Sequence, residues 1–161
     1  MNKEYITWNL YDHKVKGLIK QIDESTFKPD IVVGIMRGGM IPAVMISHHF
    51  EVPCWSVPLS YRDNVAAGND LNQVWGTLVL NGGKNILFVE DIVDSGKTMS
   101  SLQNFINTSL ELHWCYTPPQ PTIKYASVWF NVGQETNVDY FSIPFDRNNN
   151  KDWFVFPYEK Q

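Results

Sequence analysis

Cysteine is almost missing from this chain: Cys54 and Cys115 are the only two, far apart and in no C-x-x-C or Cys/His spacing. A disulfide framework and a zinc centre are thereby excluded, and both residues read as buried thiols. The four histidines, His13, His48, His49 and His113, fall at no ligand spacing either; His48 and His49 are consecutive and point to different sides of a helix. Positive charge is also in short supply. The 13 Lys and Arg stand against 17 Asp and Glu, a formal net charge of −4, and they are scattered along the chain. A surface that binds a nucleic-acid backbone needs them clustered, so no nucleic-acid partner is expected. No apolar run reaches membrane-spanning length, and Met1-Asn2-Lys3-Glu4 leads into no signal-peptide core. Membrane insertion is not expected, and the cytoplasm is the expected location. There is no internal repeat, and the run Asn148-Asn149-Asn150 is too short for a low-complexity segment.

What the chain has is a core. With 161 residues, 43% of them hydrophobic, it should bury roughly 70% of its unfolded surface, enough for one domain spanning 1–161. Apolar periodicity predicts helices over 8–22, 39–50 and 98–110. It predicts strands over 31–35, 54–59, 74–80, 85–90, 124–130 and 140–143. Strands alternating with helices imply an α/β fold, a parallel sheet flanked by helices on both faces. In such sheets ligands bind beyond the carboxyl ends of the strands.

Two glycine turns fall at such ends. The first follows the apolar run Ile86-Leu87-Phe88-Val89 and reads Glu90-Asp91-Ile92-Val93-Asp94-Ser95-Gly96-Lys97-Thr98. A helix beginning here presents unpartnered N–H groups and the positive end of its dipole, which together favour a phosphate. Ser95 and Thr98 add hydroxyls, and Gly96 lets the backbone approach the ligand. The triphosphatase pattern G-x-x-x-x-G-K-[ST] fails because Asp91 stands at its first glycine. A G-x-S-x-G hydrolase elbow fails too, with Val93 and Lys97 where its glycines belong. Carboxylates beside a phosphate repel it unless hydroxyls or a cation intervene, so Glu90 and Asp91 point to a sugar phosphate with Mg²⁺.

The second turn, Arg37-Gly38-Gly39, lies between the strand over 31–35 and the helix over 39–50. A fixed guanidinium beside exposed backbone amides suits a pyrophosphate.

The stretch 89–98 resembles the 5-phosphoribosyl-1-pyrophosphate (PRPP) signature of type I phosphoribosyltransferases, in the variant with a third acid found in the purine branch. The segment Asp152-Trp153-Phe154-Val155-Phe156-Pro157-Tyr158-Glu159 resembles the base-binding hood of bacterial xanthine-guanine and hypoxanthine-guanine members, and Glu4-Tyr5-Ile6-Thr7-Trp8 resembles their opening residues. The resemblance implies the type I fold, with a small C-terminal hood over about 144–161 joined by the N-terminal segment, and a flexible lid beginning near Ser60-Tyr61. It implies transfer of the phosphoribosyl group of PRPP to guanine, xanthine or hypoxanthine, giving a nucleoside 5′-monophosphate and pyrophosphate.

Carried over by motif position, Glu90 and Asp91 hold the ribose hydroxyls and Mg²⁺. Arg37 and Gly38 hold the pyrophosphate, and Asp94, Ser95, Gly96, Lys97 and Thr98 the 5′-phosphate. Asp94 is the catalytic residue facing the nucleobase, accepting or hydrogen-bonding a ring N–H, with Trp153 stacking on the base and Phe154 reading its edge through the main chain. Asn131 stands where relatives place a base-reading lysine, and an amide can both donate and accept. The lid departs as well: no Lys or Arg lies between Arg62 and Lys84. The resemblance also implies a homodimer or homotetramer. The alternatives are a phosphoribosyltransferase for another base and a PRPP-sensing regulator that binds nucleic acid.

Overall fold

The structure is a computed structural model that describes residues 2–59, 76, 84–113 and 120–159, with backbone alone at 111–113. The expected lid and the expected strand over 74–80 lie outside the described residues, apart from Gly76. Among the described residues the elements in chain order are β1 (Lys3–Tyr5), α1 (Trp8–Glu24), β2 (Ile31–Met36), α2 (Met40–Phe50), β3 (Cys54–Pro58), β4 (Asn85–Val93), α3 (Lys97–His113), β5 (Thr122–Asn131), β6 (Tyr140–Phe145) and β7 (Trp153–Val155).

Five strands form one parallel sheet in the order β3-β2-β4-β5-β6, and β1 pairs in parallel with β7 in a separate two-stranded sheet. The α/β architecture expected from the alternating pattern is therefore the observed one. Alternation along each strand divides the core. Val32, Leu87, Val89, Ala126 and Val128 pack with Val15, Leu18 and Ile22 of α1 and Ala43 and Ile46 of α2. Val33, Ile35, Ile86 and Phe88 face the other way, against Met99, Leu102 and Ile106 of α3. Both faces are thus covered by helices, which is why these strands read as continuous apolar runs.

Local chemistry sets the helix ends. Thr7 caps α1, its hydroxyl accepting the Leu10 N–H at 3.2 Å. At the end of α2, Glu51 takes a left-handed conformation with φ 55°, and its N–H donates to the Ser47 carbonyl.

The strand order places the site. From β2 the chain passes through α2 to β3 on one side, whereas β4 lies on the other side and the sheet grows onward to β5 and β6. The order therefore reverses between β2 and β4, and in α/β sheets ligands bind beyond the carboxyl ends at such a reversal. Their register pairs Val33 with Phe88 and Gly34 with Val89, which sets the 37–39 turn beside Glu90 and Asp91. β4 also runs three residues further than periodicity suggests, because β5 continues beside it, pairing Ile92 with Trp129 and Val93 with Phe130. The signature acids sit on a sheet-anchored strand rather than in a free loop.

Gly39 is where the turn meets the sheet. A Cβ there would collide with the carbonyl oxygens of Ile35 and Val89 and reach within 3.0 Å of the Glu90 Cα. Neither backbone can yield without breaking strand pairing. Gly39→Ala is therefore expected to destabilise the fold by about 1–3 kcal/mol through overpacking, seen as a lower urea midpoint. An unchanged midpoint would show that the turn has slack the packing does not suggest.

Candidate functional site

The glycine turn at 37–39 adjoins the acids of β4. Gly38 lies so close to Asp91 that a Cβ would run into its carboxylate, and the Gly39 backbone N–H donates to the Glu90 carboxyl. Arg37 is exposed at the mouth, and the Met36–Arg37 peptide is cis. Glu90 is half-buried, and its carboxyl is pushed well above the usual range. Burial is the larger cause and the neighbouring Asp91 charge the next, while the N–H groups of Asp91, at 3.1 Å, and Gly39 oppose the rise.

Asp91 is held on both oxygens. Its Oδ1 accepts the Ile92 N–H at 2.7 Å, and its Oδ2 accepts the Tyr158 hydroxyl at 2.5 Å. Tyr158 lies in an aromatic cage, stacked on Phe156 with centroids 5.5 Å apart and edge-on to Tyr11 at 5.6 Å, with Trp8 at 6.3 Å. Burial, with the Asp91 charge second, raises the phenols of Tyr158 and Tyr11 far above their ordinary value. Tyr158 is therefore a permanent donor to Asp91.

The turn at 95–98 opens α3. Gly96 has φ 73°, a conformation that suits glycine, and a Cβ there would strike the Thr136 hydroxyl. The Gly96 carbonyl accepts the Ser100 N–H at 2.8 Å and the Thr136 hydroxyl at 3.3 Å, and Ser100 and Thr136 share a 2.8 Å hydrogen bond. Ser95 and Lys97 are exposed, and Thr98 is partly so. The cup is thus braced from behind and open in front.

Asp94 stands between this cup and the C-terminal segment. Arg147 grips it in a fork, Nε to Oδ1 at 2.8 Å and Nη2 to Oδ2 at 2.9 Å. Nη1 of the same guanidinium donates to the carbonyls of Asp152, at 2.6 Å, and Asn150, at 3.3 Å. Trp153 follows directly and is partly exposed, its N–H donating to the Asn2 carbonyl at 2.8 Å. The Phe154 side chain is buried, edge-on to Phe145, which leaves only its backbone for contact with a ligand.

Asn131 sits differently from its expected place at the base edge. It is 1% exposed; its amide donates to the Asp94 carbonyl at 2.9 Å, and its oxygen accepts the N–H groups of Gly133 at 3.2 Å and Arg147 at 3.4 Å. Its functional groups are engaged by loop backbones, and it ties the Asp94 loop to the 146–147 loop. Sequence reading missed Arg147, Tyr158 and Thr136, each of which meets its partner 40 or more residues away in the chain. The one available signal was Arg147 itself, the sole arginine beyond Arg62.

A buried carboxyl raised by its neighbour's charge, as Glu90 is by Asp91, is what a divalent cation relieves. Among the described residues no three His, Cys, Asp or Glu cluster to hold a metal unaided. The helices among the described residues are all too short or too polar to cross a membrane.

Tyr158→Phe removes only the hydroxyl and leaves the aromatic cage intact. It is expected to lower stability by about 1.5–3 kcal/mol, the range for a hydrogen bond to a charged group, as read by denaturant unfolding. A variant as stable as the parent would mean that water replaces the phenol at no cost.

Similarity to known proteins runs the length of the chain. It is 23% identical over 163 residues to the xanthine-guanine phosphoribosyltransferase of Idiomarina loihiensis, covering 98% of this chain and 88% of that protein. Its fold is similar to that of a purine phosphoribosyltransferase from Pyrococcus horikoshii, with a TM-score of 0.68 and 24% identity over 100% of this chain and 96% of the other. It is also similar to the xanthine-guanine-hypoxanthine phosphoribosyltransferase of Helicobacter pylori, at 0.71 and 20%, over 98% and 94%. The family model of the phosphoribosyl transferase domain matches residues 2–158, and the chain belongs to that family.

Proposed function

We propose that this protein transfers the 5-phosphoribosyl group of PRPP to a purine base, forming a nucleoside 5′-monophosphate and releasing pyrophosphate. The observation that carries the reading is the contact of Gly38 with Asp91, which sets the Arg37–Gly39 turn against the acids of β4, the strand that leads into the 95–98 turn. PRPP has a monophosphate at one end and a diphosphate at the other. The cup at 95–98 suits the first and Arg37 with Gly38 the second. Glu90 and Asp91, lying between them, suit the ribose hydroxyls and Mg²⁺. When bound, the cation would offset the charge on the departing pyrophosphate. The names of the similar proteins support a purine as the acceptor.

In the exchange, a ring nitrogen of the base attacks the anomeric carbon as the bond from that carbon to pyrophosphate breaks. Arg37 holds the leaving group, and Trp153 lies flat on the base. Asp94 accepts the proton of the ring N–H, or shares it in a hydrogen bond, as positive charge develops on the purine. General-base assistance of this kind is worth about 10²–10⁴-fold.

A spectrophotometric screen of guanine, xanthine, hypoxanthine, adenine, uracil and orotate with PRPP and Mg²⁺ tests the reading, with turnover expected for a purine and not for a pyrimidine. Asp94→Asn should reduce kcat by about 10²–10⁴-fold while PRPP binding by calorimetry stays close to the parent. Wild-type kcat in that variant would remove Asp94 from the chemistry.

A further inference from the structure

The guanidinium of Arg147 has five N–H donors. Four are committed: Nε and one hydrogen of Nη2 to Asp94, and both hydrogens of Nη1 to the carbonyls of Asp152 and Asn150. The fifth, on Nη2, has no partner among the described residues. The group cannot swing away to find one, since it lies 4.8 Å from the Phe145 ring and 5.2 Å from the Phe154 ring, and its fork on Asp94 fixes the plane. The ion pair is not closed off either, with side-chain exposures of 25% for Arg147 and 27% for Asp94. Nη2 and Asp94 Oδ2, 2.9 Å apart, therefore form a rigid pair of one donor beside one acceptor.

We infer that this pair reads the edge of the base, and that Arg147 selects purines carrying an oxygen at position 6. The inference rests on the proposed role of Asp94 toward the base and extends it. A free 6-oxopurine with its proton on N7 presents an N–H donor beside a carbonyl acceptor on one edge. Asp94 takes the N–H, and the spare Nη2–H meets the carbonyl. A 6-aminopurine presents an amino group at the same place, two donors would face each other, and one is left unpaired. Arg147 is thus a specificity residue as well as a positioning one. Its hold on the Asp152 carbonyl sets the backbone that carries Trp153. Asn131, enclosed by loop backbones, leaves the reading of position 6 to Arg147.

The test is the ratio of kcat/KM for hypoxanthine to that for adenine, with PRPP and Mg²⁺, in the wild type, Arg147→Gln and Arg147→Lys. The wild type is expected to favour hypoxanthine. Arg147→Gln should lower hypoxanthine kcat/KM by about 10- to 100-fold and adenine far less, with the KM for PRPP within about twofold. Arg147→Lys, which keeps the charge but not the fork, should fall between. Millimolar guanidinium ion added to Arg147→Gln should restore hypoxanthine turnover selectively. A purely structural role would lower both bases together and would not be rescued. If Arg147→Gln melts below the assay temperature, the same ratio is read from Arg147→Lys. An active wild type whose ratio is unchanged in these variants, or whose two bases fall in parallel, overturns this proposal and leaves the transferase reading standing. A wild type that turns over no base overturns both.

Discussion

Everything in the cleft depends on the parallel pairing of β2 with β4. Each strand delivers its own glycine turn at its carboxyl end, and the 31–34 to 86–89 register decides that the 37–39 turn arrives beside Glu90 and Asp91. A parallel pair slipped by one residue would turn each inward side chain to the opposite face, exchanging the helices that Val33 and Val32 pack against. The apolar content of the strands is thus also what positions the 37–39 turn against the acids of β4. Gly39 then lets two backbones approach where any side chain would hold them apart, and Gly38 leaves room for the Asp91 carboxylate.

Much of this was legible in the sequence. Strands buried on both faces announce themselves as apolar runs, and the turns that follow them carry their chemistry in contiguous residues. Arg37 through Gly39 and Glu90 through Thr98 are of this kind, so the place of each turn at a strand end could be read from a dozen letters. Even the junction of the N-terminal segment with the hood, seen as the pairing of Lys3 with Trp153, had a trace in two short matching segments.

Long-range side-chain pairing was not legible. Arg147 finds Asp94 across 53 positions and Tyr158 finds Asp91 across 67, and no periodicity records such distances. The contacts of Asn131 were not legible either. Its place at the end of β5 marked it as a site residue, yet an amide there can satisfy three loop backbone groups at once. Burying it is favourable because those N–H and carbonyl groups would otherwise lack partners. Position alone does not distinguish a residue that meets the ligand from one that holds those that do.

The two acids that receive help from the C-terminal segment receive different kinds. Asp91 accepts from a neutral phenol, whereas Asp94 is paired with a guanidinium. On the proposed reading this difference has a physical reason. Asp91 has to meet a divalent cation, and a fixed positive charge on its carboxylate would oppose that binding; a phenol orients the group and leaves its charge available. Asp94 faces an uncharged base, and a carboxylate there without a counter-ion would bear the full cost of desolvation once the ring covers it. Arg147 meets that cost in advance and leaves the outer lone pairs free to accept. Since both donors come from the segment that also carries Trp153, the sugar end and the base end of the cleft are braced by one piece of chain. A displacement of that segment is therefore felt at both acids together.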